Sequence, residues 1–205
     1  MASFNLYIPL LVNAEGGYQK LQNDSGNYNS RGELVGTNHG VSAPVYENWI
    51  GRVPTEIDMR NITKTIALEI MKVWYWDKIG ATYINNQSVA NILADHAVNA
   101  GTGAAAKLVQ ETLNDNFGFN LKVDGAIGDK TRSAINNTNS KQLHEALKKA
   151  RENFYKNIGG PWEKAWLKRL STFVFKEKKK ISIFLVLATL TGIGLYVNNI
   201  SKNKN

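Results

Sequence analysis

The sequence predicts a mainly α-helical fold with one long polar loop and an apolar helix near the C-terminus. Apolar residues recur at three- and four-residue steps over several stretches, which is the spacing of amphipathic helices. Residues 16–58 are instead rich in Gly, Asn and Ser, and such a segment in a helical protein usually lines a site. A hydrophobic content of 43% is ample for a packed core in a chain of 205 residues.

The helices are expected in order along the chain. Residues 4–14 are apolar and predict a helix that leads into Glu15, and residues 33–35 predict a short hairpin within the polar loop. Further helices are predicted over residues 61–79, 89–100, 104–113, 130–135 and 141–158, with a last short one after Pro161. The glycines at 101 and 103 break or kink the chain between two of these helices.

Residues 181–197 form an uncharged apolar segment. As a helix its 17 residues would be roughly 25 Å long, close to the roughly 30 Å of a bilayer core. Lysines flank it on both sides, and the heavier basic flank precedes it, which predicts a transmembrane helix with the main domain in the cytoplasm. The N-terminus lacks the basic start of a cleaved signal peptide, so we expect membrane anchoring in the host bacterium through this C-terminal helix.

Composition narrows the function classes. A formal charge of +8 favours an acidic partner surface, but no nucleic-acid-binding motif accompanies it, so nucleic acid is not expected as a partner. The absence of cysteine excludes a disulfide framework, a thiolate metal site and a cysteine nucleophile. The three histidines lack metal-ligand spacing, so no metal and no cofactor are expected.

Two acidic residues carry the first chemical hypothesis. Glu15 lies near the end of the first apolar segment, and Asp24 follows in the polar loop. Two carboxyl groups separated by a short loop can cleave a glycosidic bond, one as general acid and the other by polarising or positioning water. The alternatives are that Glu15 is a solvated acid at a helix end and that Asp24 is a turn residue.

Several stretches in order carry a family resemblance. They are EGGY at 15–18, DSG at 24–26, TNHGVS at 37–42, WYWD at 74–77 and ADHAVNAG at 94–101. Together they resemble glycoside hydrolase family 108, the N-acetylmuramidases of phages and prophages. Residues 110–113, 123–131 and 161–169 resemble the peptidoglycan-binding module that accompanies this family, so the resemblance covers about residues 4–170.

The resemblance implies a lysozyme-like helical fold and hydrolysis of the bond between N-acetylmuramic acid and N-acetylglucosamine. It implies that Glu15 is the catalytic acid. Asp24 is the candidate base or electrostatic partner of an attacking water, unless it is only a turn residue. Thr37 resembles a threonine that helps to place water in phage-type lysozymes. The chain departs from the family pattern at Asn27, where a second glycine is expected.

Five further side chains are expected to bind substrate. Tyr18 and His39 belong to the motifs, and Trp76 offers a flat face to a sugar ring unless it belongs to the core. Asp95 and Asn99 fall one helical turn apart on one face, where they line the saccharide cleft or satisfy loop backbone.

These observations predict five regions. They are a muramidase catalytic region at 1–96, a peptidoglycan-binding helical region at 97–172, a basic linker at 173–180, the transmembrane helix at 181–197 and a polar tail at 198–205. The leading hypothesis is a phage or prophage lysozyme whose partners are peptidoglycan and the membrane. A cytoplasmic enzyme would need a holin-type lesion, and hence a holin as partner, or inverted insertion to reach its substrate. The alternatives are a lytic transglycosylase that uses Glu15 and a non-enzymatic, membrane-anchored wall-binding protein.

Overall fold

The protein is built from α-helices, with one irregular loop inserted after the first of them. The computed structural model describes residues 1–12 and 17–177. Within these ranges the helices are α1 (Phe4–Val12), α2 (Ala43–Ile50), α3 (Glu56–Arg60), α4 (Lys64–Met71), α5 (Gln87–Ala100), α6 (Thr102–Phe117), α7 (Asp129–Asn137), α8 (Ser140–Ile158) and α9 (Glu163–Ser171). The mainly helical fold that the apolar periodicity predicts is therefore confirmed.

Helix α5 lies at the centre of the fold. Every residue from Ser88 to Ala97 is buried, because α1, α6 and α8 pack around it. The helix begins at Gln87, since the side chain of Asn86 accepts the backbone N–H groups of Ser88 and Val89. Burial on every side makes α5 the element to which the other helices are fixed.

Helices α6 to α9 form the second half of the molecule and pack on α5 and on one another. Gly101, with a φ of 93°, separates α5 from α6, in agreement with the predicted break. The predicted domain boundary at residue 96 falls inside α5, so this helix connects the two halves.

The polar loop contains more helix than its composition suggests. Helix α2 and the first three residues of α3 lie inside the segment predicted to be loop. The predicted hairpin consists of isolated antiparallel bridges, one of which joins Tyr28 to Leu34. Local signals account for α3, because Thr55 and Asp58 form a reciprocal capping box. With eight and five residues, α2 and α3 are too short for apolar periodicity to reveal them.

The helix predicted from residue 61 begins later and changes its winding. Thr63 accepts the N–H of Ile66 at 3.2 Å and so caps α4, which begins at Lys64. After Met71 the chain continues as a π-helical turn, Lys72–Trp76. This turn contains the aromatic residues Trp74, Tyr75 and Trp76.

The predicted membrane helix is not supported and requires correction. In residues 1–12 and 17–177, no helix combines the length and apolar character needed to cross a bilayer. The longest of these helices, α8, has 19 residues but carries charged side chains along its length. Residues 181–197, on which the prediction rested, lie outside the described part of the chain. The described structure therefore does not support a transmembrane helix as part of the fold, and it does not support membrane anchoring of the protein.

Candidate active site

Asp24 and Thr37 meet at the backbone of Gly26. The Asp24 carboxylate accepts the N–H of Gly26 at 2.9 Å, and the Thr37 hydroxyl donates to the carbonyl oxygen of Gly26 at 3.3 Å. Asp24 thereby caps the 3₁₀ turn Ser25–Asn27, while Thr37 is held by a backbone bridge to Gln19. Two side chains 13 positions apart in sequence are thus brought to one peptide unit.

The space beside Gly26 is small and polar. A Cβ added to Gly26 would lie 3.2 Å from Asp24 Oδ1 and 3.9 Å from Thr37 Oγ1, with Ser42 Cβ at 3.3 Å. The carboxylate and the hydroxyl therefore border the same small volume. A glycine at this position keeps the volume open.

Two amide side chains that sequence reasoning did not select hold this arrangement. Gln19 and Asn27 exchange a reciprocal pair of hydrogen bonds, at 2.9 and 3.0 Å, and Gln19 Nε2 also donates to Asp24 Oδ2 at 3.1 Å. Asn27 is fully buried, and its amide also donates to the carbonyl of Leu21. The signal for this network in the sequence was Asn27, which stands where the family pattern has a glycine. A buried amide side chain needs hydrogen-bond partners, so an asparagine here indicates that other polar groups lie close to it.

Tyr18 supports the same loop from its outer side. Its hydroxyl donates to the carbonyl of Val35 at 3.0 Å, and the guanidinium of Arg60 lies 3.9 Å from its ring centroid. Burial, followed by the charge of Glu56, raises the pKa of Tyr18, so the phenol remains protonated. Hydrogen bonds from Lys20 and Arg60 lower the pKa of Glu56 to about 2.

His39 lies in a tight turn next to Thr37. Its φ of 48° and the 76° of Gly40 give positive values at both central positions, as in type I′ turns. The preceding Asn38 is buried and donates to the carbonyls of Met59 and Arg60 at the end of α3. The turn is therefore fixed to α3, and the His39 side chain is half-buried.

Glu15, the expected acid, lies outside the described residues. The described chain leaves α1 at Val12 and resumes at Gly17. No group of three His, Cys, Asp or Glu side chains suited to a metal occurs in the part of the chain that the structure describes.

Trp76 does not occupy a binding surface. The side chain is fully buried, stacks on Tyr7 with centroids 5.7 Å apart and packs edge-on against Phe4. Its indole N–H donates to the hydroxyl of Thr82 at 2.8 Å. The prediction of sugar contact was wrong for this residue, because its ring is enclosed in the core by Tyr7 and Phe4.

Asp95 also belongs to the interior and does not line a cleft. Its carboxylate is fully buried and accepts hydrogen bonds from Arg151 Nη2 at 2.7 Å and from Arg169 Nε and Nη2 at 2.9 and 2.7 Å. The expected substrate contact is therefore corrected to a buried ion triad that joins α5 to α8 and α9. Sequence spacing on one helix could not reveal partners on two others.

Asn99 has a mixed position. Its amide donates to the backbone carbonyl of Asp95 at 2.8 Å, one turn earlier in α5, and so does not satisfy loop backbone. The side chain is nevertheless exposed and lines a cavity of about 470 Å³ together with Leu10 of α1 and Trp166 of α9. It therefore remains accessible to a ligand.

A carboxylate and a hydroxyl on one loop of a mainly helical domain fit the class of glycoside hydrolases, and comparison with known proteins agrees. Residues 8–101 match the family described as Glycosyl hydrolase 108, and residues 104–169 match the family described as Predicted Peptidoglycan domain. No curated protein matches the chain. Twelve chains of solved structures match it, among them the structure of Brucella abortus SagA. That match has a TM-score of 0.70 and 27% identity, and it covers 82% of this chain and 89% of that one.

The chain belongs to the glycosyl hydrolase 108 family and carries the predicted peptidoglycan domain behind its catalytic region. It is therefore a glycosidase that acts on peptidoglycan, and the resemblance and the enzyme class predicted from the motifs are confirmed. Peptidoglycan is supported as its partner, whereas a membrane and a holin are not. The non-enzymatic alternative is accordingly set aside.

Proposed function

We propose that this enzyme hydrolyses the β-1,4 bond between N-acetylmuramic acid and N-acetylglucosamine, with Glu15 as the general acid. Glu15 lies in the region that matches the glycosyl hydrolase family and within the motif whose glutamate is the family's expected acid. A general acid must protonate the leaving oxygen, and the apolar residues before Glu15 would favour its protonated form.

The observation that carries this proposal is the convergence of Asp24 and Thr37 on Gly26. Asp24 acts as the base or electrostatic partner of an attacking water, and Thr37 orients that water through its hydroxyl. A hydroxyl can do this at any pH near neutrality, because it needs no change of protonation. The bonds from Gln19 and from the Gly26 N–H hold the Asp24 carboxylate in one orientation.

The stereochemical outcome follows from this assignment. A water held by the second carboxylate attacks the face of the sugar opposite the leaving group, which inverts the anomeric centre. Tyr18, His39 and Asn99 are the side chains that we assign to substrate binding. We assign the activity to host lysis by a phage or prophage on the family resemblance, and the charge of +8 favours contact with anionic envelopes.

Mass spectrometry of the soluble fragments released from purified peptidoglycan tests the proposal. The full-length protein is compared with its Glu15→Gln variant and with Glu69→Gln, which changes an exposed acid on α4. We expect reducing N-acetylmuramic ends from the parent and from Glu69→Gln, and none from Glu15→Gln. Anhydro ends would assign the protein to the lytic transglycosylases, and equal activity of Glu15→Gln would disprove the role of Glu15.

Gly26→Ala tests whether water occupies the space between Asp24 and Thr37. The added methyl group would enter this space at 3.2 Å from the carboxylate, so we expect hydrolysis to slow by at least about tenfold. Gly103→Ala is the matched control, because its Cβ would meet nothing within 4 Å. Equal rates for the two variants would show that the attacking water does not occupy this space.

A further inference from the structure

A groove of about 640 Å³ lies between α6 and α8, remote in sequence from the Asp24 loop. Most of its lining residues lie in the region that matches the predicted peptidoglycan domain. The exception is His96, which comes from α5 and lines the groove beneath the two helices. The groove therefore places a residue of the catalytic region inside the second domain.

His96 is fully buried, and neither ring nitrogen has a hydrogen-bond partner among the described residues. Its ring packs edge-on against Phe154, with centroids 4.9 Å apart. Buried polar groups are nearly always paired, since an unpaired donor or acceptor costs free energy that a paired one does not. An imidazole with two unpaired nitrogens at the base of a groove is therefore suited to contact with a ligand.

The imidazole is neutral under physiological conditions. Burial, and secondly the positive charge of Arg151, lower the pKa of His96 to about 3, while Asp95 acts in the opposite direction. A neutral imidazole offers one N–H donor and one nitrogen acceptor. This pair matches the C=O and N–H groups of a peptide bond.

The rim of the groove carries charges of both signs. Lys107 and Glu111 are exposed on α6, and Lys149 is exposed on α8 beside the amide of Asn153. Neutral sugars usually bind on flat aromatic faces, whereas the half-buried Phe154 in this groove packs against His96. Charges of both signs around amides instead fit a peptide that carries both carboxylate and ammonium groups.

We propose that the groove between α6 and α8 binds the stem peptide of peptidoglycan, with its backbone at His96 and its charged groups at the rim. The proposal rests on the action on peptidoglycan described above. It deepens that function by separating the two parts of the substrate, because the Asp24 loop acts on the glycan and this groove holds the peptide. Binding of the peptide would keep the enzyme on the wall between cleavage events.

The test is an NMR titration of the ¹⁵N-labelled full-length protein, observing the ring nitrogens of the histidines. The probes are a synthetic tetrapeptide of L-Ala, D-Glu, a diamino acid and D-Ala, and the neutral disaccharide of N-acetylglucosamine. We expect the tetrapeptide to shift the His96 nitrogens saturably and the disaccharide to leave them unchanged. A shift with the disaccharide alone, or with neither probe, would overturn the proposal.

A pair of double variants separates the groove from the rest of α8. Lys149→Ala with Asn153→Ala removes one cation and one amide from the rim, and we expect at least tenfold weaker binding of the tetrapeptide. Lys141→Ala with Gln142→Ala removes the same types of group from exposed positions of the same helix outside the groove. Equal affinities of the two double variants would contradict the assignment.

The two proposals fail separately. If the full-length protein releases no fragments from peptidoglycan but the tetrapeptide still shifts His96, the groove assignment stands and the catalytic one falls. If fragments are released and His96 does not respond, the catalytic proposal stands and the groove assignment falls.

Discussion

Asp24 and Asp95 are both aspartates with several hydrogen bonds, yet the two regions use them differently. Asp95 is fully buried in the helical region between two arginines, whereas Asp24 is half-buried in the loop. Among the described residues, the groups that donate to Asp24 are the neutral N–H of Gly26 and the neutral amide of Gln19. A carboxylate held by neutral donors keeps a negative charge that can act on a substrate or a water molecule. The charge of a carboxylate between two guanidinium groups is already neutralised by them.

The difference shows why a carboxylate in a family motif is not by itself a catalytic candidate. Asp95 connects α5 to Arg151 of α8 and Arg169 of α9, so its charge holds the two halves of the molecule together. Asp24 instead fixes a single turn of the loop. We therefore expect substitution at Asp95 to affect stability and substitution at Asp24 to affect activity.

The largest expected effect is that of Asp95→Ala on stability. Removing the carboxylate leaves the guanidinium of Arg151, which is 1% exposed, buried without its anionic partner, so the free energy of unfolding should fall by about 3–5 kcal/mol. Denaturant unfolding measures it. Asp129→Ala removes an ion pair whose aspartate is 98% exposed and should cost less than about 1 kcal/mol. Equal losses would mean that the buried triad contributes no more than a surface pair.

Next in size is the effect of Asp24→Asn on catalysis. Asparagine can still accept the N–H of Gly26 but carries no charge, so hydrolysis should fall by about 100-fold while the free energy of unfolding changes by less than about 1 kcal/mol. Rates of fragment release and denaturant unfolding measure the two effects.

Asp124→Asn is a close control for this substitution. Asp124 also accepts a backbone N–H two residues on, from Ala126, and a side-chain amide, from Gln110, but it lies in the second domain. The Asp124→Asn variant should hydrolyse peptidoglycan at nearly the rate of the parent protein. If both variants lose activity alike, the effect of Asp24→Asn reflects loop structure and not chemistry.

Asn27→Ala should affect both stability and activity, which would sharpen the contrast between the two regions. The substitution leaves the amide of Gln19 and the carbonyl of Leu21 without their partner, at a cost of about 1–3 kcal/mol in the free energy of unfolding. Activity should fall as well, because Gln19 also orients Asp24. Asn48→Ala, at an exposed amide of α2, should change stability by no more than about 0.5 kcal/mol. A stable Asn27→Ala protein with full activity would show that the network does not hold the site.

His96 gives the helical region a stability that depends on pH. Its pKa is lowered to about 3 in the folded protein, so between about pH 6.5 and 4.5 the unfolded chain takes up a proton that the folded protein excludes. The free energy of unfolding should therefore decrease as the pH falls, by up to about 1.4 kcal/mol per pH unit. His96→Phe should reduce this slope in denaturant unfolding between these pH values, whereas an unchanged slope would show that His96 does not contribute to it.

Much of the helical region could be predicted from the sequence. The breaks at Gly101 and before α8, and the extent of α8 itself, follow from local periodicity and from capping residues such as Asn139. In the loop, the same reasoning missed α2 and α3, since their formation depends on caps and on contacts such as that of Asn38 with the end of α3. Local patterns indicate where a helix can form, but they do not reveal what a short helix packs against.

By itself the sequence determined the order of the helices outside the polar loop, the family of the enzyme and the choice of Asp24 and Thr37 as candidates. Only the tertiary structure decided that Trp76 and Asp95 are interior residues and that Gln19 and Asn27 orient Asp24. The reason is the distance along the chain. Asp95 pairs with residues 56 and 74 positions away, and periodicity reports only which side of a helix is apolar. A carboxylate on that side has the same spacing whether it meets a substrate or two arginines.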